Sequence, residues 1–102
     1  MEHDFSYAPE ALEQLEYLEK KHRRLIRDAV FEQLLHQPTE ETRNRKPVRQ
    51  PGPFGAQWEL RCGPQNRFRA FYLVDEKDVV RILAIGIKEG SRLLFPGREV
   101  EP

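Results

Sequence analysis

Apolar and polar positions follow two different periods in the first part of the chain. Phe5 and Tyr7 fall on one face of a weakly alternating run, which predicts a short strand over residues 3–8. A helix is predicted from Pro9, because a proline in the first turn lacks only an N–H that would be unbonded anyway. Its apolar positions recur at helical spacing to about residue 20: Leu12, Leu15 and Leu18.

A second amphipathic stretch follows a basic interruption at residues 20–24 (KKHRR). Its apolar stripe predicts a helix that ends before Pro38. The stripe consists of Leu25, Ile26, Ala29, Val30, Leu34 and Leu35. Two helices with a polar junction form an αα-hairpin. The alternative is one long kinked helix, since no glycine or proline marks the break.

Residues 37–56 show neither period. Prolines and glycines predict a long exposed connection there, and a loop of this length in a compact domain is more often functional than idle. These residues are Pro38, Pro47, Pro51, Gly52, Pro53 and Gly55.

Three strand patterns follow, over residues 58–62, 67–75 and 79–88. The short polar turns between them predict antiparallel pairing. Both faces of the last strand are largely apolar, which predicts a central place in the sheet. We therefore expect an α+β domain of order β-α-α-β-β-β, with two helices on one face of a small antiparallel sheet.

Length and composition agree with one domain over residues 1–102. Charged residues make up 33% and aromatic residues 10% of the chain, which favours a polar but folded protein. Cys62 is the single cysteine, so no intramolecular disulfide is possible, and no Cys/His spacing suggests a metal site. The acidic N-terminus does not resemble a signal peptide, and no apolar run is long enough to span a membrane. We expect a cytoplasmic protein without a cofactor.

The zero net charge hides a segregation along the chain. Residues 1–42 carry five basic and ten acidic side chains, whereas residues 43–72 carry seven basic side chains and one acidic one. A basic middle third is a candidate surface for a polyanion, and a solvated charged loop is the alternative. Its densest part contains the candidate polyanion-binding residues Arg43, Arg45, Lys46 and Arg49, with Arg67 on the following strand pattern.

The strand patterns also predict a cluster of charged side chains on one face of the sheet. Side chains two apart share a strand face, so Glu59 projects with Arg61, and Arg67 is expected to project with Arg69. Lys88, at the end of the central strand, is expected beside them.

Four segments carry a family resemblance, in order along nearly the whole chain. They are residues 45–49 (RKPVR), 58–63 (WELRCG), 67–75 (RFRAFYLVD) and 82–88 (ILAIGIK). Together they resemble the bacterial RelE/ParE toxin superfamily. That resemblance implies a cytoplasmic toxin of a type II toxin–antitoxin system, neutralised by an antitoxin protein encoded beside it.

The resemblance assigns roles to individual positions. Arg69 matches the family's phosphate-stabilising arginine, Arg61 matches the arginine of its Leu-Arg pair, and Lys88 matches a basic position after the strand-ending glycine. Two features of RelE are missing. Its two lysines on the first hairpin strand are replaced by Gln57 and Glu59 here. Its C-terminal tyrosine is replaced in this region by Leu94 and Phe95.

These departures leave several hypotheses. Glu59 is a candidate general base, or else it pairs with an arginine across the strand, and Tyr72 is either a tyrosine near the site or a core residue. The resemblance makes a ribosome-dependent mRNA endonuclease the leading functional hypothesis, with the basic residues Arg43, Arg45, Lys46, Arg49 and Arg67 as its candidate RNA-binding residues. Cleavage of RNA without a metal needs a base for the ribose 2′-OH, cations for the phosphate and an acid for the leaving oxygen. The alternatives are a ParE-like poison of DNA gyrase and a catalytically degenerate relative that only binds its antitoxin. An apolar antitoxin segment is expected on the helices or along a sheet edge. Residues 93–95 are interpreted as a cap on the core rather than part of that surface.

Overall fold

Two helices and six strands make up the regular structure of residues 2–97, the part of the chain that the computed structural model describes. The predicted order β-α-α-β-β-β is confirmed, with two further short strands, β2 and β6. The elements are β1 (Asp4–Tyr7), α1 (Pro9–Glu16), α2 (Lys20–Leu34), β2 (Arg45–Pro47), β3 (Trp58–Cys62), β4 (Phe68–Val74), β5 (Val79–Glu89) and β6 (Arg92–Leu94).

The helices form two separate elements rather than one kinked helix. Helix α1 begins at Pro9, as predicted, and ends at Glu16. The chain leaves the helical path at Glu19, whose backbone is extended, and α2 then begins at Lys20. The interpretation of residues 20–24 as an interruption between helices is therefore wrong. These basic residues form the beginning of α2. The helix as a whole is anchored by its buried residues Ile26 and Val30 further along.

The sheet has the order β1-β5-β4-β3-β2, and β6 pairs with the end of β5. Strand β5 has neighbours on both sides, so its predicted central place is confirmed. The pairings of β2 through β6 are antiparallel, but β1 lies parallel to β5. The expectation of a wholly antiparallel sheet fails for β1, because the helical hairpin and most of the sheet separate it from β5 along the chain, and no short turn fixes its direction.

The helices cover one face of the sheet and bury the main core. Their apolar stripes pack on alternate residues of β3, β4 and β5, as period-two strands require. Tyr72 lies within this core with no exposed surface. Its hydroxyl donates a hydrogen bond to the carbonyl oxygen of Pro38, which is also buried. This bond ties the segment after α2 to the centre of the sheet.

The opposite face carries a second, smaller apolar cluster. Ala56, Phe71 and Ala84 are buried there, and Val48 and Phe54 from the connection pack against them. Residues 37–56 are therefore not a long structureless loop. They contain β2 and a 3-10 turn, and they dock on the sheet, because the few apolar side chains between the prolines are enough to anchor them.

The end of the described chain covers the same cluster. Leu93 and Phe95 pack against it, and the Phe95 ring centroid lies 5.2 Å from that of Phe54 and 5.8 Å from that of Phe71. Residues 93–95 thus lie as a cap on the sheet face away from the helices.

The Tyr72 hydroxyl provides a test of how the second half of the chain is held. Replacing Tyr72 by Phe leaves the buried Pro38 carbonyl without its donor, so we expect a loss of about 1 kcal/mol in the free energy of unfolding. Urea denaturation followed by circular dichroism measures this loss. Tyr17→Phe, at an exposed position, serves as the control and is expected to change stability by less than about 0.5 kcal/mol. Equal stability of the two variants would contradict the assigned role.

Candidate functional site

The register of β3 against β4 brings two arginines face to face. Arg61 pairs directly with Arg69, and both project from the sheet face away from the helices, which we call the arginine face. Glu59 lies two residues before Arg61 and therefore shares this face. Directly opposed like charges destabilise a sheet unless something neutralises them, so the position of Glu59 decides whether the pair is tolerated.

Glu59 bridges the two arginines through one carboxylate oxygen. Its Oε1 accepts a hydrogen bond from Nε of Arg61 at 2.7 Å and another from Nη1 of Arg69 at 3.1 Å. The side chains of Glu59 and Arg69 are each only 13% exposed, whereas that of Arg61 is 35% exposed. We call these three residues the Arg–Glu–Arg triad. It carries a net charge of +1 and holds its carboxylate in a defined orientation.

The turn between β3 and β4 orients Arg69 further. Gly63 begins this turn at φ +80°, where a Cβ atom would lie 2.6 Å from the Phe68 ring, so the position requires glycine. Asn66 follows, and its carbonyl oxygen accepts a hydrogen bond from Nε of Arg69 at 3.0 Å. Arg69 is thus held from two sides. The sequence marked Asn66 only as a turn residue, and nothing in the sequence pattern indicated this contact.

The second oxygen of the Glu59 carboxylate has no hydrogen bond among the described residues, and it is not among their buried atoms that lack a partner. Within the described residues this second oxygen therefore has unused acceptor capacity, whereas Oε1 is engaged by both guanidinium groups. A carboxylate oriented between phosphate-binding guanidinium groups combines a base with cationic stabilisation.

Lys88 lies on the same face, beyond the arginines. Gly86 pairs with Arg69, so Lys88 projects two residues further along β5, and its backbone N–H donates to the Arg67 carbonyl oxygen at 2.7 Å. Its side chain is half-buried and forms no ion pair among the described residues. The structure brings Lys88 to the neighbourhood of the triad, as the sequence predicted, without a direct contact.

Arg67 does not share the face of Arg69. It precedes β4 and has a helical backbone conformation, so the alternation that predicted a shared face does not include it. Its Nη2 lies 3.4 Å from Oε2 of Glu89, and its guanidinium lies 5.8 Å from the centre of the Phe68 ring. The expected grouping of Arg67 with Arg69 is wrong for this reason.

The basic segment before β3 is divided between structural contacts and solvent. Arg45 turns toward the helices, where its Nη1 donates to the Gln33 carbonyl oxygen and its Nε donates to that of Glu40 at 2.9 Å. Its charge therefore stabilises the C-terminal end of α2, where carbonyl groups lack partners.

The remaining three cations of this segment are closer to solvent. Lys46 pairs with Glu41 at 3.3 Å, and its position in β2 is directly opposite Glu59. Arg43 and Arg49 are exposed. The predicted RNA-binding segment thus presents three cations outward rather than four.

Other groups with acid–base capacity lie elsewhere. Tyr72 projects under the helices, on the face opposite the triad, so it is a core residue. His22 lies over Phe68 with ring centroids 5.0 Å apart, and His3 contacts the Asp78 carbonyl oxygen. Within residues 2–97 no group of three or more His, Cys, Asp or Glu side chains is arranged to hold a metal ion. No helix in this range has the length and apolar character needed to cross a membrane.

Cys62 is the last residue of β3, the strand that also carries Glu59 and Arg61, and its side chain faces the main core. Burial raises the pKa of its thiol to about 11, although the Arg69 guanidinium acts in the opposite direction. A thiol with this pKa is protonated at neutral pH, and only the thiolate is a strong nucleophile. Cys62 is therefore a packing residue and not a nucleophile of the candidate site.

Comparison with known proteins agrees with this architecture. The model of the family described as ParE toxin of type II toxin-antitoxin system, parDE, matches residues 5–90. A solved structure, the toxin–antitoxin complex RelBE2 from Mycobacterium tuberculosis, contains a similar chain. The two share 20% sequence identity with a TM-score of 0.69, over 86% of this chain and 100% of that one. At this identity the likeness concerns the fold alone. No curated protein sequence matches the chain significantly.

The raised pKa of Cys62 leads to a prediction about its reactivity. At pH 8 we expect iodoacetamide to modify the folded protein at least about a hundredfold more slowly than the urea-unfolded chain, because the thiolate fraction is lower. The rate in the folded protein is expected to keep rising up to about pH 10, whereas that of the unfolded chain levels off near pH 9. Mass spectrometry of timed samples measures both rates. A plateau below pH 9 in the folded protein would refute the assignment.

Proposed function

The chain belongs to the ParE toxin family of type II toxin–antitoxin systems, and we propose that it acts in the bacterial cytoplasm as a ribosome-dependent mRNA endonuclease. One observation carries this proposal: the Glu59 carboxylate is held between Arg61 and Arg69 on a sheet face that the helices leave free. This arrangement supplies a base and two phosphate-binding groups within one cluster.

The proposed cleavage uses the neighbouring ribose as nucleophile. The free carboxylate oxygen of Glu59 takes the proton of a 2′-OH, and the 2′-oxygen forms a bond to phosphorus as the bond to the 5′-oxygen breaks. Arg69 and Arg61 donate to the phosphate oxygens, where negative charge accumulates in the transition state. The products are a 2′,3′-cyclic phosphate and a 5′-hydroxyl end.

The leaving 5′-oxygen needs a proton as it departs. Lys88 is the candidate donor, because it carries protons on the arginine face and has no acidic partner among the described residues. Transfer of one proton from the Lys88 ammonium to the 5′-oxygen balances the proton taken by Glu59. A water molecule then exchanges protons between the two groups after the products leave.

The ribosome supplies what the arginine face lacks. Three grooves within residues 2–97 run along α2, and none of them is lined by a triad residue. Of the triad, only Arg61 is substantially exposed, on a sheet face that the helices leave free. An extended mRNA strand gains few contacts on such a face and must be held by another body. This geometry supports cleavage on a ribosome rather than of free RNA.

A poison of DNA gyrase is the second candidate function. It is favoured by the absence of a tyrosine or histidine beside the triad within residues 2–97, because a toxin that only binds its target needs no general acid. In this case Arg61 and Arg69 bind gyrase and take no part in RNA cleavage. A degenerate relative that only binds its antitoxin would neither cleave mRNA nor poison gyrase.

The antitoxin partner belongs on the helices rather than on a sheet edge. Phe31 of α2 is 54% exposed, and its ring lies 6.0 Å from that of Phe5. Exposed aromatic side chains are frequent anchor points in protein interfaces. We propose that an apolar segment of the antitoxin covers Phe31.

Two substitutions test the nuclease. Glu59→Gln removes the base but keeps a hydrogen-bond acceptor between the arginines, so we expect cleavage to fall by about 10²–10⁴-fold. Arg69→Ala removes a phosphate contact and is expected to lower cleavage by about 10²–10³-fold and to relieve growth inhibition without unfolding the protein. Glu76→Gln and Arg81→Ala, at exposed positions by the turn between β4 and β5, are the matched controls.

The measurement is the mapping of reporter mRNA ends in a bacterial translation extract, with and without ribosomes. Cuts that require ribosomes, carry cyclic phosphate ends and disappear in Glu59→Gln support the nuclease. Intact mRNA with wild-type protein would reject it, and double-strand breaks by gyrase in the presence of the protein would then support the second candidate.

The antitoxin proposal is tested by replacing Phe31 with serine. We expect the affinity for the antitoxin encoded beside the gene to fall at least about tenfold, since truncation of an interface anchor often costs more than about 1 kcal/mol. Isothermal titration calorimetry measures the dissociation constant. Tyr17→Ser, at another exposed aromatic position, is the control. Unchanged binding by Phe31→Ser would move the interface elsewhere.

A further inference from the structure

Five basic side chains lie within the first eight residues of α2, and we call them the α2 basic patch: Lys20, Lys21, Arg23, Arg24 and Arg27. They are all the basic side chains of the first 42 residues, a region that is acidic in total. Arg23 is half-buried and the other four are exposed. The sequence suggested only a polar junction here, and the structure places the whole patch on one helix.

None of the five forms an ion pair among the described residues. The Arg27 guanidinium lies over the Tyr7 ring at 4.8 Å from its centre. The Nε atom of Arg23 is buried without a hydrogen-bond partner, the only such side-chain atom in the described part of the chain. The positive charges of the patch are therefore not held in ion pairs within this range, although Asp28 lines two grooves beside them.

This arrangement opposes the stability of α2. Cations at a helix N-terminus are repelled by the helix dipole, and Lys20 with Arg24, or Arg23 with Arg27, are like charges four residues apart. No acidic residue of α2 precedes Asp28. No ion pair among residues 2–97 offsets this local cost, and such a cost is typical of residues that serve an external partner.

We propose that the α2 basic patch binds the phosphate backbone of ribosomal RNA while the triad holds the mRNA. The choice of ribosomal RNA rests on the proposed ribosome-dependent function, whereas the need for a polyanion rests on the patch itself. Arginine side chains bind phosphate oxygens through two parallel hydrogen bonds, and exposed lysines add charge.

The patch and the triad adjoin the same turn between β3 and β4. A groove of about 580 Å³ separates α2 from this turn; its charged lining residues are Lys21, Arg24, Asp28 and Glu32 of α2, and Gly63 and Pro64 line it from the turn. Asn66 of this turn holds Arg69 through its carbonyl oxygen. The α2 basic patch and the arginine face therefore both adjoin this turn, which suits a large RNA body contacting both.

The composition of the patch favours nucleic acid over an acidic protein segment. The centres of protein interfaces are enriched in aromatic and apolar residues and depleted in charges. The exposed residues of α2 between positions 20 and 27 are all cations, and the guanidinium of Arg27 lies over the Tyr7 ring. A surface of this kind fits a chain of phosphates, and its binding must weaken steeply with salt.

The test compares two variants that each lose two positive charges. Lys21→Gln/Arg24→Gln removes charge from the patch. Lys77→Gln/Arg81→Gln removes it from the turn between β4 and β5 and from the start of β5, where Arg81 is exposed and pairs with Asp75. Fluorescence anisotropy of a labelled 12-base-pair RNA duplex, titrated at several salt concentrations, measures affinity and its salt dependence. A DNA duplex of matched sequence and purified bacterial ribosomes are the second and third ligands.

For the patch variant we expect at least about tenfold weaker binding to the RNA duplex and to ribosomes, with the slope of log K against log salt reduced by about 1 to 2. The control variant is expected to bind like wild type. Because the substitutions relieve repulsion, the melting temperature of the patch variant is expected to stay equal or rise, which a merely structural role would not allow.

Equal RNA affinity and slope in the two variants would overturn the proposal, as would a loss confined to the DNA duplex. These binding results do not depend on cleavage. A wild-type protein that leaves mRNA intact but loses RNA affinity in the patch variant would reject the nuclease and retain the RNA-binding patch. Normal mRNA cleavage by the wild-type protein, together with unchanged RNA and ribosome binding by the patch variant, would retain the nuclease and reject the RNA-binding patch.

Discussion

The antiparallel register of β3 against β4 is the constraint on which the rest of the structure depends. It places Arg61 directly opposite Arg69, a pairing that the sheet tolerates because the Glu59 carboxylate accepts a hydrogen bond from each guanidinium group. The same register sends Tyr72 to the opposite face, where its hydroxyl meets Pro38. A shift by one residue would exchange the charged and apolar faces, so the core and the candidate site specify each other.

Both faces of this small sheet are covered, but by different means. The helices bury one face with two amphipathic stripes, while a proline-rich connection and the end of the described chain bury part of the other. At the triad, Glu59 and Arg69 are largely buried, whereas the side chain of Arg61 stays 35% exposed. Incomplete cover therefore makes the arginine face available to a partner without opening the core.

The basic residues of the protein serve in two electrostatic settings. In the triad, one carboxylate oxygen offsets two guanidinium charges, and the group is ordered before any ligand arrives. On α2, five cations remain without acidic partners among the described residues. Order suits chemistry, because it lowers the cost of reorganisation, whereas uncompensated charge suits the attraction of a polyanion. The turn between β3 and β4 joins the two settings.

The sequence by itself determined the fold class, both helices, the three main strands and the common face of Glu59 and Arg61, because periodicity is a local property of the chain. Only the tertiary structure decided the rest. It paired Arg61 with Arg69, turned Arg67 away, used Arg45 at the end of α2, and docked Val48 and Phe54 on the sheet. These outcomes depend on register, on turn conformation and on contacts between residues far apart in sequence, and no local pattern encodes such contacts.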